Sequence, residues 1–234
     1  NVEGYLRKNG NASVKLMMSR AVFLFSIGSN DYLSKFLMNS SLLNSRELSE
    51  YVGIVVGNVT HVVKEIYGVG GRKFGMINLP PLGCTPMMRL LNVQRNGTGC
   101  FENLSLLASL HNKVLSRALV TLEKKLKGFK YSFLDMNHYV RRMHREPSKY
   151  GFKDGSSACC GGGKFRGVYS CGGKRSVREF ELCEVPSDHV FWDSIHLTEK
   201  AYQQLAAHMW REPRRPPPRG PRSLRQLFVE EISQ

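Results

Sequence analysis

Ala21-Val22-Phe23-Leu24-Phe25-Ser26-Ile27, followed at once by Gly28-Ser29-Asn30-Asp31, is the stretch whose reading decides the fold. A short, continuous apolar run rich in aromatic and β-branched residues, stopped by Gly and Asn, reads as a strand covered on both faces, the habit of parallel sheets. Downstream, Val52, Val55, Val56, Val59, Val63 and Ile66 recur at helical spacing, with Asn44 or Ser45 as N-cap and Gly68 just past the end. Lys73 to Leu79 is strand-like and stops at Pro80-Pro81, which cannot continue a ladder. Leu104, Leu107, Ala108, His111, Leu115, Ala118, Leu122 and Leu126 form a second helical stripe closed by Gly128, and Tyr131 to Met136 supplies another strand. A last helix is expected from Thr198 to Met209, while residues 1–19 read as polar and irregular. Alternating strands and helices predict an α/β domain with a parallel sheet, whose chemistry belongs in the loops beyond the carboxyl ends of the strands.

The chain has 234 residues and 41% apolar content, enough for one globular core. No apolar run approaches the roughly 18 to 20 residues needed to cross a bilayer. The net charge of +15 invites a nucleic-acid reading, but no recognisable nucleic-acid motif accompanies it. Residues 211–225 concentrate six Arg, five Pro and one Glu, so 211–234 is expected to be a disordered tail. An anionic lipid surface or acidic cell-wall polysaccharide suits the remaining basic charge better than specific nucleic acid.

Two features point to the secretory pathway. Asn-x-Ser/Thr sequons stand at Asn11, Asn39, Asn58, Asn96 and Asn103, and the cysteines are even in number: Cys84, Cys100, Cys159, Cys160, Cys171 and Cys183. Six cysteines permit 15 pairings; Cys84 with Cys100 is preferred because both flank one loop. A zinc site is the rival reading, and it lacks the paired C-x-x-C spacing of structural zinc. The chain opens at Asn1 without a charged-then-apolar leader, so a secretion signal is expected to have been removed or to lie upstream.

Phe191-Trp192-Asp193-Ser194-Ile195-His196-Leu197-Thr198-Glu199 carries the clearest chemistry. Asp193 stands three residues before His196 in a turn leading into a helix, where a carboxylate can hold one imidazole nitrogen and leave the other to accept a hydroxyl proton. On its own the pair could equally serve helix capping. Asn30, at the end of the first strand, can aim an amide donor at a developing oxyanion, or can simply be a turn residue. Ser26 and Ser29 lie nearest to Asn30, and neither has the exposed, donor-flanked setting of a nucleophile. His138, His144, His189 and His208 read as surface or packing residues, and His111 as a satisfied buried imidazole.

These blocks, in this order, resemble the plant GDSL esterase/lipases of the SGNH hydrolase family. Phe25 to Tyr32 is similar to the block whose Asn serves the oxyanion hole, and Leu79-Pro80-Pro81-Leu82-Gly83-Cys84-Thr85-Pro86 to the block after the next strand. Ala158-Cys159-Cys160-Gly161 resembles the cysteine-rich loop, and Val190 to Glu199 the final block, with Leu197 where Pro is usual. Leu224 to Phe228 is similar to the family's ending. The resemblance implies a flavodoxin-like three-layer α/β/α fold over residues 1–210, acting on an acyl ester or lipid without metal or cofactor. It implies Asn30 as oxyanion donor, His196 as general base and Asp193 as its orienting acid. The family's serine, in a Gly-Asp-Ser block, is not recognisable, so no nucleophile is assigned. The fold is expected to be incomplete, lacking the first two strands and leaving the edge and one face of the Val22 strand uncovered. Two function classes follow: a serine ester hydrolase, or a non-catalytic secreted ligand-binding remnant of the same fold.

Overall fold

The computed structural model describes residues 11–38, 45–211 and 220–229. Helix α1 (Asn11–Arg20) leads into β1 (Val22–Phe25), followed by α2 (Ser29–Met38), α3 (Ser45–Gly68) and β2 (Lys73–Ile77). Then come α4 (Pro86–Gln94), α5 (Glu102–Lys125), β3 (Lys130–Leu134) and α6 (Met136–Arg145). Four short strands, β4 (Asp154–Ala158), β5 (Cys160–Gly161), β6 (Glu181–Leu182) and β7 (His189–Phe191), precede α7 (Glu199–Trp210) and α8 (Leu224–Val229).

The central sheet is parallel, in the order β1-β2-β3, with Phe23 opposite Phe74 and Phe74 opposite Tyr131. Side chains alternate across it. Phe74 and Met76 point into a core built from the valine stripe of α3 and the leucine stripe of α5. On the opposite face, Gly75 has no side chain, and a Cβ there would lie 3.2 Å from Leu224 and 3.3 Å from Met209, so this glycine admits α7 and α8 against the sheet. Two helical layers thus sandwich the strands, an α/β/α arrangement. Beside it, β4 and β7 pair in parallel and pack with α6 and α7 around Val140, Met143, Phe191 and Leu205.

β1 pairs parallel as its sequence suggests, but it is not covered on both faces. Phe23 and Phe25 meet the core, whereas Leu24 is 57% exposed and Ile27 52%. Among the described residues no strand pairs with the other edge of β1.

Two expectations are corrected. Residues 11–20 are helical rather than irregular: Val14 and Met18, four apart, are both buried, and the intervening Lys15, Leu16 and Met17 are strong helix formers. In the Arg/Pro-rich tail, residues 220–229 are ordered. The Arg222 amide donates to the Tyr131 carbonyl at 2.8 Å, the Gly220 amide to the Glu123 carboxylate, and α8 buries Leu227 completely. Ser223 and Gln226 cap α8 reciprocally, Gln226 N to Ser223 Oγ at 3.1 Å and Ser223 N to Gln226 Oε1 at 3.0 Å, a capping box whose local order the charge count masked. Leu227→Ala is accordingly expected to cost about 2–5 kcal/mol, measured by urea denaturation; an unchanged midpoint would mean that α8 does not stay docked. The Asn39 sequon, the alternative N-cap Asn44 and residues 212–219 and 230–234 of the tail lie outside the described residues.

Candidate active site

Three loops at the carboxyl ends of β1, β2 and β7 converge on an apolar cavity of about 700 Å³. Ser29 and Asn30 line it from the first loop, Asn78 to Leu82 from the second, and Ile195, His196 and Leu197 from the third. Leu24 lines it from the uncovered face of β1, and Trp210 and Leu224 from the helices opposite.

The first loop depends on Gly28, whose φ of +116° favours glycine and whose absent Cβ would lie 3.3 Å from the His111 ring. Ser29 and Asn30 open α2 directly, so Asn30 is a first-turn residue rather than part of a free turn. Its backbone carbonyl accepts from Ser34 Oγ at 2.6 Å. No described residue hydrogen-bonds its exposed side-chain amide, which remains available to donate into the cavity it lines.

His111 sits beneath that turn on α5, fully buried, sharing a 2.7 Å hydrogen bond with the Tyr32 hydroxyl through Nδ1. Its Nε2 has no partner among the described residues, so it is half satisfied rather than fully satisfied as expected. Burial pushes its pKa down to about 4, Asp31 opposing weakly. Because the unfolded imidazole, near 6.5, takes up a proton before the folded one does, acid favours the unfolded chain. This contribution to stability is intact above about pH 6.5 and is lost as pH falls towards 4. Between pH 7.5 and 4.5 the wild type should lose on the order of 2–3 kcal/mol more than His111→Gln, read from urea titrations at both pH values. Parallel losses in the two proteins would remove His111 as the cause.

The second loop is tied down by amides. Asn112 Oδ1 accepts from Leu79 N at 2.8 Å and its Nδ2 donates to Leu79 O at 2.9 Å, imitating a strand partner. Asn137 Nδ2 also donates to Leu79 O, while Asn78 donates to Asp135 Oδ1 at 2.9 Å and accepts from Asn137 N. Asp135 at the same time caps α6 through His138 N. The Cys84–Cys100 disulfide staples the end of this loop. Cys84, Cys100 and His144 gather within 4.8 Å, but both sulfurs are held in that bond and are not thiolate ligands. The other links are Cys159–Cys183 and Cys160–Cys171.

The third loop holds Asp193 and His196. Asp193 is mostly buried and its Oδ1 accepts from Ile195 N at 2.9 Å and His196 N at 2.7 Å. Both carboxylate oxygens lie within 3.0 Å of His196 Nδ1. Backbone donors thus fix the carboxylate, and the carboxylate fixes the ring with its proton on Nδ1, leaving Nε2 as the basic nitrogen. His196 is more than half exposed, and no described residue bonds its Nε2. The turn itself is anchored by Met87 N to Ser194 O at 3.0 Å and Trp192 N to His196 O at 2.9 Å. Thr198 caps α7 from below, as its position predicts.

Asn30 and His196 therefore line one cavity, and Asp193 supports His196 from behind. Ser26 and Ser29 line the same cavity, yet neither is hydrogen-bonded to His196. Asn78, Asn112 and Asn137 were not singled out from sequence; an Asn immediately before Leu-Pro-Pro at a strand end was the available signal. Of the sequons, Asn58, Asn96 and Asn103 are exposed; Asn11 starts α1.

The family model described as GDSL-like Lipase/Acylhydrolase matches residues 3–209. GDSL esterase/lipase 5 of Arabidopsis thaliana is 51% identical over 210 residues, covering 89% of this chain and 54% of the relative. GDSL esterase/lipase 2 of the same plant is 46% identical over 214 residues, 91% of this chain and 57% of the relative. A GDSL lipase of Tanacetum cinerariifolium is 40% identical over 209 residues, 89% of this chain and 54% of the relative. The chain spans little more than half the length of these curated relatives. With a match that runs through nearly all of it and takes in the turns bearing Asn30, Asp193 and His196, this chain belongs to the GDSL-like lipase/acylhydrolase family.

Proposed function

We propose that these residues form the base and oxyanion side of a serine ester hydrolase. The observation that carries the reading is the Asp193–His196 pair: a carboxylate held by two backbone amides grips Nδ1 and leaves Nε2 at the rim of an apolar cavity that Asn30 also lines. In the reaction a serine hydroxyl attacks the acyl carbon and His196 Nε2 takes its proton. The negative oxygen is met by the Asn30 amide, and the imidazolium, stabilised by Asp193, returns the proton to the departing alkoxide. Water repeats the sequence on the acyl-enzyme. The apolar cavity favours the acyl portion of an ester over a charged substrate.

The serine comes, in this reading, from a Gly-Asp-Ser block that is not recognisable in the present residues. The test compares the 234-residue chain with a chain that also carries such a block, using a short-chain nitrophenyl ester and a serine-directed phosphonate label. Hydrolysis and labelling are expected only with the block present. Hydrolysis by the 234 residues alone, lost on labelling, would place the nucleophile among them and overturn the assignment.

We also infer a secreted, N-glycosylated protein. Three disulfides and exposed sequons at Asn58, Asn96 and Asn103 support it.

A further inference from the structure

The segment between β5 and β7 carries features that the proposed chemistry does not use. Its two ends are cross-linked by Cys160–Cys171 and Cys159–Cys183, and Cys183 N donates to Cys159 O at 2.8 Å. Beyond Cys171, residues 172–187 are almost wholly exposed. Four of them are large and apolar: Val177 at 46% exposure, Phe180 at 43%, Leu182 at 58% and Val185 at 45%. A merely solvated loop of this length needs none of them, and large apolar side chains held exposed on a preorganised loop mark a contact surface.

The charges interleaved with these side chains cancel. The cations are Lys174, Arg175 and Arg178, and the anions Glu179, Glu181 and Glu184. Arg175 is positioned over the Tyr169 ring at 4.4 Å, and Glu181 is paired with Arg166 at 3.3 Å. Apolar tips set among cations and anions in equal number match a layer of zwitterionic headgroups. There the apolar groups enter the acyl boundary, the Lys and Arg heads stay with phosphate and the carboxylates with choline ammonium.

The loop is also coupled to the active-site turn. Cys159 N donates to Phe191 O at 2.9 Å and Cys160 N to Trp192 O at 2.7 Å, immediately before Asp193. The root of the stapled loop and the strand end that leads into the active-site turn are therefore one hydrogen-bonded unit.

We propose that residues 172–187 form a lipid-docking surface that seats the active-site turn against a neutral phospholipid layer. This deepens the ester-hydrolase reading and rests on it, because it names the substrate's physical state: an ester presented at a lipid surface rather than one free in water.

Flotation of the 234-residue chain with phosphatidylcholine vesicles, at about 50 mM and 500 mM salt, tests it without requiring any hydrolysis. The chain is expected to float with neutral vesicles at both salt concentrations, since the loop has no net charge to screen. The double substitution Phe180→Asp/Leu182→Asp should weaken partition by about 100-fold or more, since each large apolar side chain accounts for at least a decade when buried. Ile54→Asp, a 59% exposed position on α3, should leave partition unchanged. Circular dichroism checks that the variants fold; all three sites are exposed. Failure to float, undiminished flotation of the double variant, or binding confined to anionic vesicles and abolished by salt would each overturn the proposal. The last result would assign attachment to the overall +15 charge. None of these outcomes bears on the hydrolysis of a water-soluble nitrophenyl ester, which tests the underlying reading separately.

Discussion

His196→Ala is expected to lower kcat/KM for a nitrophenyl ester by about 10²–10⁴-fold, in a chain that carries the serine block. The magnitude follows from what is lost. Without the imidazole no group among the described residues can take the hydroxyl proton at that place, and the attack must proceed from a neutral alcohol. Asp193→Asn tests the same unit differently, because an amide in that position loses the charge that stabilises the imidazolium and can impose the wrong tautomer. Asn30→Ala should cost about 10²–10³-fold, mostly in kcat, as expected for a donor that acts on charge present only in the transition state. Steady-state rates for the three variants decide the matter. If His196→Ala turns over as fast as the parent, the base has been assigned wrongly and the Asp193 contact is a turn-stabilising one.

The largest stability effect belongs to Phe74→Ala, expected to cost about 3–5 kcal/mol. Phe74 is fully buried in the middle strand, stacked on Phe129 at 4.9 Å between ring centres and flanked by Phe23 at 5.8 Å and Phe25 at 6.5 Å. Truncation removes three aromatic partners' contacts at once and leaves a void between layers that cannot close, because β2 is paired on both edges. Against a typical total of about 5–15 kcal/mol the loss decides whether the chain stays folded. Chemical denaturation should show the midpoint falling with an unchanged slope. A cost below about 1 kcal/mol would mean that this cluster is not the core that holds β1 to β2.

The elements that sequence reading recovered are those whose periodicity is strong and whose ends are marked. The valine stripe of α3, the leucine stripe of α5 and the Thr198 cap of α7 belong here, each with a spacing or a capping residue that acts locally. What it missed depends on partners distant in the chain. The ten residues of α1 have little amphipathic contrast, and their burial depends on contacts such as Met18 with the Gly70 turn. α8 was hidden because an Arg/Pro count averages over the Ser223–Gln226 cap. At the site, Asp193 and His196 were legible because three residues separate them and a turn brings them together. Asn78, Asn112 and Asn137 were not, since the loop they brace is closed by bonds spanning 33 to 59 positions. Asn30 lies between these cases: its residue type and strand-end position suggested a donor, and only the folded chain shows it on the same cavity as His196.

Cys159 and Cys160 are neighbours that reach different partners, Cys183 and Cys171. Exchanging those partners gives a cross-linked isomer with the same number of bonds, and residues 172–182, which separate Cys171 from Cys183, are too exposed to discriminate strongly between the two before the rest of the domain has formed. Maturation is therefore governed by thiol reshuffling rather than by oxidation itself. Refolding in a glutathione buffer or with a disulfide isomerase should yield far more native protein than rapid air oxidation, and trapped isomers should differ in peptide mapping at the vicinal pair alone.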